Sequence, residues 1–251
     1  MKIAVAAKVV PDDQDIQIAA NRELDCSKAH QIVSTYDLNA IEAAAQIAET
    51  QGGSVVAIAA GPAAIDDSKL KKNILARGVD SLAMVADDAC SGADAQATAA
   101  VLAGIVQKLG DIDLILCGDG SADNYAQQVD VQLASALGWP VVNAASKIEI
   151  GSGFATVVRT LEDEVETVEV ALPAVISVTP DAAQPRIPGM KDILAAGKKP
   201  MDIDAAGTVP TSAIEVVECL APEAAARSCE ILDAADEGAI QKFAAAIKAA
   251  L

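Results

Sequence analysis

The stretch DIDLILCGDGSADNYAQQV, residues 111–129, has the composition of a ligand loop. An apolar run, Leu114-Ile115-Leu116-Cys117, breaks into Gly118-Asp119-Gly120-Ser121 and restarts as a helix-compatible segment through Asp123 and Gln127-Gln128. Strand, glycine turn and helix start together turn bare backbone N–H groups towards an anion. A phosphate-bearing ligand is the chemistry this order suggests. An ordinary strand-to-helix connection has the same make-up, because a short glycine turn is a weak motif.

The rest of the chemical inventory is thin. There is one histidine, His30, in a polar stretch with no nucleophile near it. Glu162-Asp163-Glu164 beside Arg159 reads as an exposed hairpin charge run and not as a carboxylate pair. No HExxH, GxSxG or GK[ST] occurs. The Gly118 loop lacks the lysine that would stabilise γ-phosphate charge. The residues describe a binder of a nucleotide and a partner, without bond-breaking machinery of its own.

Bulk properties narrow the class. A net charge of −18 opposes nucleic acid and anionic membrane surfaces, both of which need clustered Lys and Arg. The five cysteines, Cys26, Cys90, Cys117, Cys219 and Cys229, include no CxxC, which suggests reduced cytoplasmic usage without a zinc or iron–sulfur ligand set. No signal peptide is evident after Met1, and no run approaches the roughly 18 to 20 apolar residues of a membrane span. Aromatics are scarce, so the core must be built from Ala, Val, Ile and Leu.

The elements that would position the loop alternate. Apolar runs at 2–10, 54–60, 82–86 and 114–117 read as buried strands. Helices are predicted from Ser34 or Thr35 to Glu49, from Ala63 to Ala76, from Asp94 to Leu109, and from the glycine turn to Leu137. Four such alternations predict an α/β fold: a mostly parallel, Rossmann-like sheet with helices on both faces and ligands at the strand C-termini. The segments leaving strands at that edge are Ala6 to Val10, Ala60-Gly61-Pro62 and Gly118 to Ser121, with the helix start at Ser34 to Asp37 near them. After Pro140 the β-prone segments, including 173–178, read as antiparallel additions. The segment 201–235 lacks domain-forming periodicity and reads as an arm, ending in an amphipathic helix with Ile240, Phe243 and Ile247 on one face. The resulting division is a nucleotide-binding domain over 1–200 and an arm over 201–251.

Seven stretches together resemble the β (small) subunit of electron-transfer flavoproteins, and their details lean towards the bacterial Fix-type branch with its links to anaerobic carnitine metabolism. They are MKIAVAAKVVPDDQDI, STYDLNAIEAAAQ, AAGPA, LARGVD, LILCGDGSADNYAQQV, TLEDEVETVEVALPAVISVT and PRIPGMKDILAAGKKP. The resemblance implies a heterodimer whose α subunit carries most contacts to a redox FAD. The β subunit then holds AMP, or a second FAD in electron-bifurcating members that oxidise NADH. It implies nucleotide contacts at Ala6, at Ser34, Thr35, Tyr36 and Asp37, and at Ala60. The remaining contacts fall on Gly118, Asp119, Gly120, Ser121, Ala122, Asp123, Asn124, Tyr125, Ala126, Gln127, Gln128 and Val129. Asp119 departs from the family pattern, because many relatives carry Lys or Arg there and an acid beside phosphate is unfavourable.

The resemblance also makes 184–195 a recognition loop for a flavin-dependent dehydrogenase of the acyl-CoA type, with Ile187, Met190, Ile193 and Leu194 in contact and Met190 as the anchor. The second redox partner is then a quinone oxidoreductase or a ferredoxin, and the arm docks on the α subunit. A reading from another class, a stand-alone adenine-nucleotide sensor or stress-type protein, predicts a flavin-free homo-oligomer. It leaves the Met190 loop and the arm unexplained.

Overall fold

Strand β1 (Lys2–Ala6) shows how the sheet is buried. Ile3 and Val5 face one core, while Ala4 and Ala6 face another. A strand covered on both sides reads as a continuous apolar run, and the sequence has that character here. The computed structural model describes residues 1–212, 214–223, 229–233 and 235–250.

Eight further strands join β1: β2 (Ser54–Gly61), β3 (Ser81–Ala86), β4 (Leu114–Gly118), β5 (Val141–Ile150), β6 (Phe154–Thr160), β7 (Val165–Ala171), β8 (Ala174–Val178) and β9 (Met201–Asp204). Their order in the sheet is β7-β6-β5-β8-β4-β1-β2-β3-β9. Pairings from β5 through to β9 are parallel, while β5–β6 and β6–β7 are antiparallel. The chain therefore moves from β1 outward through β2 and β3, then returns to place β4 on the other side of β1. That reversal creates a switch point between the C-terminal ends of β1 and β4, the place where open α/β sheets bind ligands.

The helices follow from this path. α1 (Thr35–Gln51) and α2 (Ser68–Leu75) pack Ile41, Ala44, Ile74 and Leu75 against one face. α3 (Ala95–Leu109) and α4 (Val129–Leu137) pack Leu102, Val106 and Leu133 against the other. Right-handed crossovers require this change of face once the direction of travel reverses. The small Ala side chains on α1 and α3 allow close approach to the strands, which a core nearly free of aromatics needs.

Four local expectations differ from the structure. Residues 174–178 form β8, which is parallel, not antiparallel, and is inserted between β4 and β5. Periodicity shows burial but not the neighbour, so a parallel and an antiparallel core strand look alike in sequence. Helix two is interrupted: a 3-10 turn spans Ala63–Ile65 and the α-helix begins at Ser68, because Asp67 caps it by accepting from the amides of Lys69 and Leu70 at 2.8 and 3.0 Å. Residues Met201–Asp204, inside the stretch expected to be an arm, pair with β3. Lastly, no helix follows the glycine turn directly; α4 starts only at Val129.

Two compact units are present. One comprises 1–17 and 25–218 and contains the whole sheet; the other comprises 18–24 and 219–251. Within the second, Ala221 donates its amide to Arg22 O at 2.9 Å, and α6 (Ala239–Ala250) exposes Ile240, Phe243 and Ile247. No helix among the described residues is long and apolar enough to cross a membrane.

Candidate functional site at the sheet switch point

Ala6, Gly118 and Ala60 lie at the C-terminal ends of β1, β4 and β2, three adjacent strands. The start of α1 joins them through Asp37. Its Oδ2 accepts from the amide of Lys8 at 2.7 Å and its Oδ1 from the amide of Gly118 at 3.2 Å. One carboxylate thus ties together the two strand ends that flank the switch point. Burial pushes the Asp37 carboxyl up to about 7, against the lowering effect of the two amides and the Lys8 charge.

Ser34 sits at the N-cap position of α1, yet its side chain does not cap the helix. Its amide donates to Lys8 O at 2.9 Å, and its hydroxyl accepts from the amide of Ala122 at 3.3 Å. The residue type was legible as a cap; its use as a fastener for the loop across the crevice was not. Thr35 is exposed, and Tyr36 meets the Tyr125 ring with centroids 5.1 Å apart, tilted by 50°.

Gly118 is required by this closeness. A Cβ there would lie 2.8 Å from Asp37 Oδ1 and from the Tyr36 carbonyl carbon. At Gly120 a Cβ would lie 2.2 Å from the Tyr125 ring. Both glycines serve close approach, and neither needs a left-handed backbone. Tyr125 and Gln127 do adopt positive φ, 44° and 53°, and residues 119–128 form an irregular loop.

Lys8 is the cation of the site. Its ammonium donates to both oxygens of Asp123 at 2.7 Å, to Ser121 Oγ at 3.3 Å and to Asn124 Oδ1 at 3.2 Å. Ser121 Oγ also donates to Asp123 Oδ1 at 2.5 Å. Burial acts to raise the Asp123 carboxyl, but the Lys8 and Ser121 bonds outweigh it and hold the group below the usual carboxylate range. Ala126, Gln127 and Gln128 are exposed, and Val129 is half-buried at the first turn of α4.

Asp119 turns inward. Its amide donates to Val178 O at 3.0 Å, its Oδ2 accepts from the Tyr125 hydroxyl at 2.9 Å, and its Oδ1 is buried without a partner. Burial raises the Asp119 carboxyl, and the bond from Tyr125 lowers it less. The same bond pushes the Tyr125 phenol up to about 12.

The amides of Gly118, Asp119, Ala122 and Tyr125 are all engaged within the chain. Those of Gly120 and Ser121 find no acceptor among the described residues. The residues present fit a nucleotide: besides the amides of Gly120 and Ser121, the first-turn amides of α4 are available, because Gln128 makes no side-chain cap, while the cation Lys8 is already paired with Asp123 and the loop also carries the carboxyl of Asp119. Asp130 was not anticipated; it sits in the first turn of α4, and Ser177 on β8 donates to it at 2.6 Å.

The loop at 184–195 forms a separate surface. α5 (Met190–Ala196) follows Gly189, whose amide donates to Asp192 at 2.9 Å. Ile187 and Met190 are 93% and 75% exposed, Leu194 is exposed, and Ile193 is 42% exposed. Residues missed in the sequence hold the loop's base. Arg186 grips the buried Glu42 of α1 through Nε at 2.7 Å and Nη2 at 3.1 Å, and reaches Glu49 at 2.8 Å. Asn39 donates to the carbonyls of Pro180 and Ala183 at 3.0 and 2.8 Å. A polar residue on the sheet-facing stripe of α1 was the available signal in both cases.

His30 stands apart, exposed and paired with Asp15 at 2.6 Å. Arg159 engages Glu166 and Asn143. A groove of about 340 Å³ lies between α1 and β5 and shares no residue with the crevice loop.

The family model described as electron transfer flavoprotein domain matches residues 24–218. The match spans the start of α1, the switch-point loop and α5.

Proposed function

This chain belongs to the electron transfer flavoprotein domain family, and from that premise we propose that it is the β-type subunit of a heterodimeric electron carrier. In this reading it works between a flavin-dependent dehydrogenase of the acyl-CoA type and a second redox partner. The supporting observation is that one family match takes in both the switch-point loop after β4 and the helix that exposes Met190. FAD held in the heterodimer supplies the electron chemistry. This chain's residues bind and position.

The crevice takes an adenine nucleotide, AMP or the ADP half of a second FAD. Gly120 and Ser121 would donate their amides to it, with Ala6, Ser34 and Ala60 shaping the strand edge. Met190, an adaptable side chain, enters an apolar pocket of the dehydrogenase. Arg186 and Glu42 keep the loop in shape for docking, so less ordering is left for the encounter.

Co-expression with an α-type subunit should give a yellow complex in 1:1 ratio; a colourless homodimer would refute the proposal. FAD and AMP released on denaturation identify the crevice ligand: one FAD plus AMP for the simple carrier, two FAD for a flavin at the crevice. Met190→Ala should slow electron transfer from the dehydrogenase about tenfold, the equivalent of about 1.4 kcal/mol, without loss of flavin.

A further inference from the structure

Asp37, Asn39 and Glu42 lie close together on α1, and all three are buried polar residues. Buried polar side chains need partners, and these three take theirs from separate segments. Asp37 accepts from the amides of Lys8 and Gly118 at the crevice. Asn39, 9% exposed, donates to the carbonyls of Pro180 and Ala183 at 3.0 and 2.8 Å. It thereby clamps the 3-10 turn Pro180–Ala182 at its start and just past its end. Glu42 accepts from the Arg186 amide at 3.1 Å as well as from the guanidinium. The segment from Val178 to Arg186 links the same two regions by another route. Val178 O, at the end of β8, accepts from the Asp119 amide at 3.0 Å. Arg186 opens the exposed segment that carries Ile187 and Met190. The crevice and the docking surface are thus joined twice, by α1 and by 178–186, and Asn39 ties the two connections together.

A hydrogen bond in a buried place has a narrow range of good geometries, so a shift at either end strains these links or leaves a carbonyl unmet. Coupling between sites is carried by contiguous contacts of this kind when they bias an element with two states. Here that element is the docking segment 187–196, either held against its base or locally open. We propose that α1 couples the two surfaces: a ligand that orders the loop after β4 also steadies the docking segment, and Asn39 is the positioning residue between them. By reciprocity, a partner on the docking surface tightens the crevice for its ligand in the same ratio. A partner dehydrogenase then favours the loaded chain. The coupling rests on the adenine-nucleotide reading given above for the crevice.

The test is amide hydrogen exchange of the purified full chain, alone or in its complex, after removal of co-purified nucleotide and with AMP as the probe. Saturating AMP should slow exchange in 119–128, where it binds. It should also slow exchange in 187–196 by about fivefold or more, the lower end of common coupling factors. The edge strand β7, which has no part in either connection, is the control and should not change. Asn39→Ala should keep the AMP effect at 119–128 and lose it at 187–196. A merely structural Asn39 would raise exchange in 187–196 by the same factor with and without AMP, and that result would overturn its assignment. Arg186→Ala cuts the docking end of the same links, should also lose the AMP effect there, and serves if the Asn39 variant does not fold. Unchanged exchange in 187–196 while AMP protects 119–128 would overturn the coupling. Equal slowing in β7 would reduce the effect to overall stabilisation and overturn it too. Absence of AMP protection at 119–128 would instead refute the adenine-nucleotide reading, and the coupling with it.

Discussion

Asp37 and Glu42, five residues apart on α1, are both buried carboxyls with opposite pH behaviour. Burial holds the Asp37 carboxyl up to about 7, above its ordinary value of 3.8. The folded chain therefore keeps a proton that the unfolded chain releases, and this group's contribution to stability falls as pH rises from about 4 to about 7. Asp37→Asn removes the titration and sets an amide NH₂ against a backbone donor. The variant should be less stable by about 1–3 kcal/mol at pH 5. The deficit should narrow towards pH 8, which urea unfolding at the two pH values checks. Glu42 runs the other way. Burial raises its carboxyl, but Arg186 and Gln46 outweigh that and hold it below its ordinary 4.5. Its contribution is complete above 4.5 and is lost as pH falls through the lowered folded value. Glu42→Gln should cost about 1–3 kcal/mol at pH 7, less than a fully buried pair, because Arg186 is a third exposed. The difference from wild type should shrink as the pH drops below 4.5. Ser34, Asp37, Gly118 and Asp123 stood out in the sequence, and the structure brings them to one sheet edge. Their partners were not legible, since Ser34 with Ala122 and Glu42 with Arg186 are 88 and 144 positions apart.

The four core strands were legible because burial on two faces leaves continuous apolar runs, as at 54–60 and 114–117, while their order in the sheet came only from the structure. Helix boundaries were legible where a cap precedes them, as Asp94 precedes α3 with its carboxylate on the Ala97 amide at 2.8 Å. The start of α4 was not, because Tyr125 and Gln127 leave helical geometry through positive φ, which their residue types do not advertise. The loop they shape depends on its glycine. Gly120→Ala would force the Tyr125 ring aside and break its bond to Asp119. The chain has only two tyrosines, so ring resonances should report separation of the Tyr36–Tyr125 pair directly. At the other surface, Arg186→Ala should raise amide exchange across 187–196 while exchange in β1 and β4 stays unchanged. Electron transfer from the dehydrogenase should slow with flavin content intact. Equal protection in that loop would show that Arg186 does not hold it.

At the scale of the whole chain, the sheet belongs to the unit made of 1–17 and 25–218. A chain ending after Glu218 keeps that unit's internal framework and removes α6. It should unfold cooperatively within about 4 °C of the full chain, the shift that about 1 kcal/mol produces at this size. It should also fail to hold the α-type subunit, which size-exclusion chromatography of the co-expressed pair would reveal. The fold class was readable because four strand–helix alternations leave few alternatives. The place of β8 was not, because no local pattern shows that a late strand will enter the middle of the sheet. That insertion sets an order in time. β4 has β8 as its second neighbour, and Asp119 takes its backbone acceptor from Val178. During synthesis at about 5–20 residues per second, a nascent chain that has already made β1 to β5 still lacks the strand that joins its two halves. Until residue 178 emerges, β4 and β5 each present an open edge, and the loop after β4 lacks the Val178 acceptor for its Asp119 amide. The crevice is thus among the last parts of the sheet to become complete, although the residues that line it were made well before.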